Sequence, residues 1–201
     1  MKLYYTPGAC SLSPHITARE AGIELELDKV DRSKKTESGV DFLTINPKGY
    51  VPALQLDDGE VLTEGPAIVQ FLADSRPEKR LAPPNGTRER YRLQEALGYI
   101  NSEIHKTYSP LFNPSTTDDL RRDRIEYLRK RYALIEKSLG GRQFLVGDTF
   151  TVADAYLFTV TQWAGYVKFD LSELGNVQAF QKRIAERPHV QEALRAEGLL
   201  K

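Results

Sequence analysis

The chain has 201 residues, enough for one sizeable core or two small ones, and carries 28 Lys plus Arg against 28 Asp plus Glu. Balanced charge offers no basic surface to nucleic acid and no charged tail to a membrane, and no run of about 18 apolar residues occurs, so neither partner is expected. Cys10 is the only cysteine, which excludes an intramolecular disulfide, and the first residues lack the basic start and apolar run of a signal peptide. The expected setting is the cytoplasm.

Lys2-Leu3-Tyr4-Tyr5 reads as a short strand that breaks at Thr6-Pro7-Gly8-Ala9, and a helix pattern begins at Ser11. Cys10 therefore stands at a helix N-terminus, where unpaired N–H groups and the positive end of the dipole favour a thiolate, its own or a bound partner's. The competing reading of Cys10 is a small buried hydrophobe. Residues 23–28 alternate strictly and predict a strand. Asn46-Pro47-Lys48-Gly49-Tyr50-Val51-Pro52-Ala53-Leu54 is a turn running into a strand, with Pro52 at the position that tolerates a missing N–H. Residues 53–56 and 61–63 then pair through Asp57-Asp58-Gly59-Glu60, a hairpin signal. Leu62-Thr63-Glu64-Gly65-Pro66-Ala67-Ile68 ends a strand and opens a helix, with Gly65 near the N-cap and Pro66 at the first helical position. A β-α-β start, a hairpin and a helix make residues 1–78 look like a thioredoxin-like α/β domain.

Residues 79–87, within a stretch rich in proline and charge, read as a linker. No strand is expected in residues 88–201, which predict an all-α domain; the chain is thus a two-domain α+β protein. Leu93, Leu97, Ile100 and Ile104 recur at helical spacing, as do Ile125, Leu128, Tyr132, Ile135 and Leu139. Beside the first of these stripes runs a small and polar one, Gly98, Ser102, His105 and Ser109, suited to lining a cleft. Thr151-Val152-Ala153-Asp154 is a capping-box start to an apolar helix through Tyr156, Phe158 and Trp163, in which Asp154 is structural. Asn176 is read as the cap of a further helix that Pro188 stops. His15 is expected to pack or hydrogen-bond inside the first helix, and His189 to be exposed.

Five segments together resemble the bacterial beta-class glutathione S-transferases: P-G-A-C-S with the following H-I, N-P-K-G-x-V-P-A-L, L-T-E-G-x-A-I, E-I-H-K and T-V-A-D-A-Y, in the family's order and spacing along the whole chain. The resemblance implies glutathione as co-substrate, no metal, a small hydrophobic electrophile and a homodimer. It implies Cys10, Ser11 and His105 as catalytic residues. Ala9, Cys10, Ser102 and His105 would contact glutathione near its sulfur. A cis Val51-Pro52 bond would turn the Val51 N–H and C=O toward its cysteinyl unit. Glu64 would pair with the γ-glutamyl ammonium, the helix start at Gly65 would hold the γ-glutamyl carboxylate, and Lys35, or its neighbour Lys34, would take the glycyl carboxylate. The electrophile pocket would be built from Ala9, Leu12, His105, Tyr108, Ser109, Leu111, Phe112 and Tyr166. The chain departs from related sequences at Gly98, where a side-chain amide is common, and at Gly65, where some have serine.

Three activities compete on these residues. One is conjugation of the glutathione thiolate to aromatic or halogenated electrophiles, in detoxification. Another is glutaredoxin-like thiol transfer or peroxidase chemistry on Cys10, for which the lack of a C-x-x-C pair argues only against disulfide reductase work. The last is a non-enzymatic ligand-binding protein of the same fold, against which the joint presence of Cys10, Val51-Pro52, Glu64 and His105 argues. Tyr5 ranks below Cys10 as a thiol-stabilising group and is assigned to the core or the cleft wall.

Overall fold

Alternation along Lys2–Tyr5 (β1) sends Leu3 to one face of a sheet and Tyr4 to the other, and both are buried. In the computed structural model, which describes residues 1–200, β1 is followed by α1 (Leu12–Ala21), β2 (Glu26–Lys29), α2 (Phe42–Ile45), β3 (Ala53–Gln55), β4 (Val61–Thr63) and α3 (Gly65–Asp74). The sheet order is β2-β1-β3-β4, with β1 parallel to β2 and antiparallel to β3, and β3 antiparallel to β4. Tyr4, Val30, Phe42 and Ala53 form a core on one face. Leu3 pairs in register with Leu54 and points the other way. The hairpin closes as expected: Gly59 sits at φ +91° and the Leu56 N–H bonds the Glu60 carbonyl at 2.8 Å.

One strand lies later than predicted. Residues 23–25 are not in β2, because Gly22 ends α1 in the left-handed region and the Ile23 N–H is spent on the Ala18 carbonyl at 2.8 Å. That Schellman cap delays the strand to Glu26.

The helical unit, residues 83–185, contains α4 (Arg88–Tyr99), a π-helical stretch Ile100–His105, α5 (Lys106–Tyr108), a 3₁₀ turn Ser109–Phe112, α6 (Asp118–Ser138), α7 (Val152–Thr161), α8 (Trp163–Val167) and α9 (Gly175–Ala185). No strand occurs among its described residues. Leu93, Leu97, Ile100 and Ile104 are buried, as are Leu128, Tyr132, Ile135 and Leu139. The capping box of α7 forms: Asp154 Oδ2 accepts from the Thr151 N–H at 2.8 Å, and Oδ1 accepts from the Leu145 N–H at 2.8 Å. Asn176 does not cap α9, which starts one residue earlier. Its N–H and that of Val177 are taken by the Glu136 carboxylate from α6, at 2.9 and 3.0 Å.

The last helix, α10 (Pro188–Ala196), belongs with the first unit, which comprises residues 1–82 and the stretch from 186 onward. This differs from the expected 88–201 helical domain. Val190, Ala193 and Leu194 are buried, α10 packs on α1, and Arg187 makes a two-pronged pair with Glu20 at 2.7 and 2.8 Å. Part of the expected 79–87 linker is also structured: Pro77–Lys79 is a 3₁₀ turn and Leu81 is buried. Among the described residues no helix is long and apolar enough to cross a membrane.

Candidate active site

In the first unit, the loop between β1 and α1 presents Cys10 half-buried, with its Sγ donating to the Val51 carbonyl at 3.1 Å. The Val51-Pro52 peptide is cis. The structure thus brings together two residues that the sequence assigned to separate tasks, and Val51 O already has a donor within the chain. Near the thiol, the expectation of unpaired amides is not met at Ala9, whose N–H donates to the Thr6 carbonyl at 3.0 Å. Ser11 departs from its expected catalytic role. Its hydroxyl is buried, accepts from the Thr6 N–H at 3.1 Å and donates to the Thr6 carbonyl at 3.2 Å, so it fastens the loop instead of facing a ligand.

The same loop has a brace that sequence reading missed. Glu197, just beyond α10, is buried and accepts from the Gly8 N–H at 2.9 Å while its other oxygen meets His15 Nδ1 at 2.9 Å. His15 is therefore a hydrogen-bonded interior residue, as expected. Tyr5 lies in the core with its ring 6.5 Å from that of His15, and burial, together with the nearby Glu197 carboxyl, pushes its phenol above the ordinary range.

Glu64, not Gly65, is the N-cap of α3, and Gly65 is the first helical residue. Glu64 holds φ +71°, a conformation that a side chain rarely adopts and that costs about 1–3 kcal/mol. In the first turn Pro66 has no N–H, and the Ala67 and Ile68 N–H groups bond the Glu64 carbonyl, both at 3.0 Å. Only Gly65 keeps an amide available to an anion there. The Glu64 carboxylate is exposed and pairs with Lys48 Nζ at 2.8 Å, which also donates to Thr63 Oγ1 at 3.0 Å. Lys48 was not singled out from sequence, although it occupies the N-P-K-G turn. Of the two candidate lysines, both exposed, Lys34 sits at φ +64° with its Nζ on the Gly49 carbonyl at 2.8 Å.

In the helical unit, His105 closes the π-helical stretch, half-buried. Its Nδ1 stands 2.6 Å from the Tyr156 hydroxyl, which donates to Asn101 Oδ1 at 2.9 Å. The Trp163 ring meets the imidazole edge-on with centroids 4.9 Å apart. Trp163 starts α8 rather than ending α7, and it also contacts the Tyr108 and Phe112 rings at 5.6 and 5.5 Å. Neither Tyr156 nor Asn101 was picked from sequence; their roles show only when α7 is laid against the π-helical stretch. Ser102 is exposed, with its hydroxyl donating to the Gly98 carbonyl at 3.0 Å. Of the residues expected to line the electrophile pocket, Phe112 and Tyr166 are well exposed, but Leu12, Tyr108 and Leu111 are buried. Tyr108 gives its hydroxyl to Tyr132 at 3.1 Å inside this unit.

Two family models match the chain: the glutathione S-transferase N-terminal domain over residues 8–75 and the C-terminal domain over residues 99–188. The chain is 50% identical over 200 residues to the glutathione S-transferase GstA of Escherichia coli O157:H7, covering 99% of this chain and 100% of that one. Among solved structures it is similar to BphK, a bacterial enzyme of this type seen in a ternary complex, at 56% identity and TM-score 0.98, covering 99% and 100% of the two chains. It is also similar to a sphingomonad glutathione S-transferase complexed with glutathione, at 48% identity and TM-score 0.96, covering 99% and 100%. A beta-class enzyme of Sphingomonas chungbukensis aligns over 100% of both chains at 46% identity and TM-score 0.97. Two matching domain models, both expected motif halves and full-length likeness to these enzymes agree: the chain belongs to the glutathione S-transferase family and, within it, to the bacterial beta class that its motifs resemble.

Proposed function

We propose that this glutathione S-transferase joins the sulfur of glutathione to small apolar electrophiles of aromatic or halogenated character, as a cytoplasmic homodimer serving detoxification. The observation that carries conjugation over cysteine redox chemistry is the 3.1 Å bond from Cys10 Sγ to the Val51 carbonyl. A thiol that gives its hydrogen to a carbonyl is a neutral thiol, the less reactive form. The nucleophile is then glutathione's own sulfur, and Cys10 positions it. His105 serves that sulfur as acid–base group, with Ser102 near it on the same helix face.

The rest of glutathione is recognised by charge. The Gly65 N–H and the Lys48 ammonium suit the γ-glutamyl carboxylate, and Glu64 suits the adjacent ammonium. Lys35 takes the glycyl carboxylate, since Lys34 is engaged with Gly49. Pro52 shapes the Val51 backbone that pairs with the cysteinyl unit, beside Ala9 and Cys10.

The test compares Cys10→Ala and His105→Ala in steady-state conjugation of a chloro-nitroaromatic, with glutathione affinity by calorimetry. Conjugation should survive at least in part in Cys10→Ala and fall strongly in His105→Ala, while affinity for glutathione changes little in the latter. Mass spectrometry after exposure to oxidised glutathione supplies the contrary outcome: a stoichiometric mixed disulfide at Cys10, with no conjugation in a folded Cys10→Ala, would favour thiol transfer.

A further inference from the structure

We propose that Tyr156 and Asn101 are positioning residues that decide which nitrogen of His105 is available to sulfur. The inference rests on the reading of His105 as the group that serves the glutathione thiol. A phenol has one hydrogen to give and lone pairs with which to accept. The Tyr156 hydroxyl gives its hydrogen to Asn101 Oδ1 at 2.9 Å, so at its 2.6 Å contact with His105 it can only accept, and the imidazole donates there through Nδ1–H. Nδ1 therefore keeps its proton in both charge states. The nitrogen that gains and loses a proton is Nε2.

This matters for the chemistry because an Nε2 that already carried hydrogen in the neutral ring would have no lone pair for a thiol. With hydrogen on Nδ1, the neutral ring presents that lone pair. The S–H bond of glutathione breaks, its electron pair stays on sulfur, and the proton becomes the Nε2–H of an imidazolium that can then donate to the thiolate. The proton passes to solvent once the sulfur has reacted. Ring contacts hold the same arrangement: Trp163 lies edge-on at 4.9 Å and 66°, and the Tyr156 ring at 5.8 Å and 84°. A half-turn of the imidazole would put carbon where each nitrogen stands and lose the Nδ1 contact with the Tyr156 hydroxyl. Asn101 and His105 share the π-helical stretch Ile100–His105, a form of helix often found at functional sites.

The ¹⁵N spectrum of histidine-labelled protein distinguishes the two neutral tautomers directly, above the ordinary histidine range of about 6.5. The His105 signals, assigned by their absence from His105→Ala, should show Nδ1–H in the unaltered protein. Asn101→Leu frees the phenol's hydrogen for Nδ1 and should move His105 to Nε2–H. Asn101→Asp keeps an acceptor and should retain Nδ1–H. In conjugation of a chloro-nitroaromatic, Asn101→Leu and Tyr156→Phe should lose about fivefold or more in kcat with little change in KM for glutathione, and Asn101→Asp should recover most of the loss. An unaltered protein with Nε2–H, or a folded Asn101→Leu whose tautomer and kcat are both unchanged, overturns the proposal. If the protein conjugates nothing, the functional reading falls on that result alone, while the tautomer is still decided by the spectrum.

Discussion

At the scale of single residues, Glu64 combines two demands that pull apart. In the proposed site its carboxylate meets the ligand's ammonium, yet its backbone sits at φ +71°, where a side chain is strained. Glu64→Ala and Glu64→Gly both remove the carboxylate, but only glycine relaxes the backbone. Both should weaken glutathione binding markedly by calorimetry, and Glu64→Gly should be the more stable of the two by about 1 kcal/mol in denaturant unfolding. Unchanged affinity in a folded Glu64→Ala would sink the assignment of this ligand site. Gly98 makes the opposite case, for it is exposed inside α4 and a Cβ there meets nothing within 4 Å. Gly98→Ala should therefore stabilise the protein by about 0.5–1 kcal/mol, seen as a rise of a few degrees in Tm. Residue types and order single out Cys10, His105, Val51 and Glu64 as candidates, and the structure places Cys10 Sγ on the Val51 carbonyl. What each hydroxyl bonds to was not legible, because Ser11 facing Thr6 and Tyr156 facing His105 depend on turns and helix contacts that no spacing rule encodes.

At the scale of elements, apolar periodicity and cap signals pointed to α1, α3, α4, α6, α7 and α9 and to both hairpin strands, since burial and the 3.6- or 2-residue repeat are one signal, whereas the short α2, α5 and α8 and the last helix, α10, were not read. Failures came where a neighbouring element or a cap overrode local pattern: the Gly22 cap delayed β2, and Glu136 of α6 took the amides that Asn176 was expected to serve. The π-helical stretch was equally hidden, because a change of winding over six residues leaves Ile100 and Ile104 on the buried face. Packing of α5, α6 and α7 also buries a chain of hydroxyls, Tyr108 to Tyr132 to Thr161 Oγ1, each step 3.1 Å. Burial pushes the Tyr132 phenol up to about 12 and raises that of Tyr108 as well. An unfolded tyrosine ionises near 10, so above that pH the unfolded chain releases protons that the folded chain keeps, and stability falls as pH rises from about 10 toward 12. Tyr132→Phe removes one such proton. Comparing urea midpoints at about pH 8 and pH 10.5, the variant should lose less stability between the two than the unaltered protein; an equal loss would show that Tyr132 does not titrate there.

At the scale of the whole molecule, the two-domain α+β organisation could be read from the change in pattern near residue 80, but the allegiance of the last helix could not. A segment that follows α4 to α9 in sequence is naturally assigned to the helical domain; what decides otherwise is a set of long-range polar contacts. Glu197 meets Gly8 and His15, and Arg187 meets Glu20, pairs separated by more than 160 residues in the chain. These contacts make the C-terminal segment part of the unit that carries Cys10. Glu197→Ala would take an acceptor from the Gly8 N–H and leave the buried His15 ring without its carboxyl partner. The expected cost is about 3 kcal/mol, or a fall of roughly 6–12 °C in Tm, with His189→Ala, an exposed change on the preceding helix α10, close to neutral. Location is the sharper readout. Hydrogen exchange on the full-length protein should show lost protection in α1 and the loop before it, with residues 83–185 little changed. Conjugation should weaken with it, since the loop holding Cys10 loses its brace. Were protection lost in α4, α6 and α7 instead, the C-terminal helix would belong to the helical unit after all.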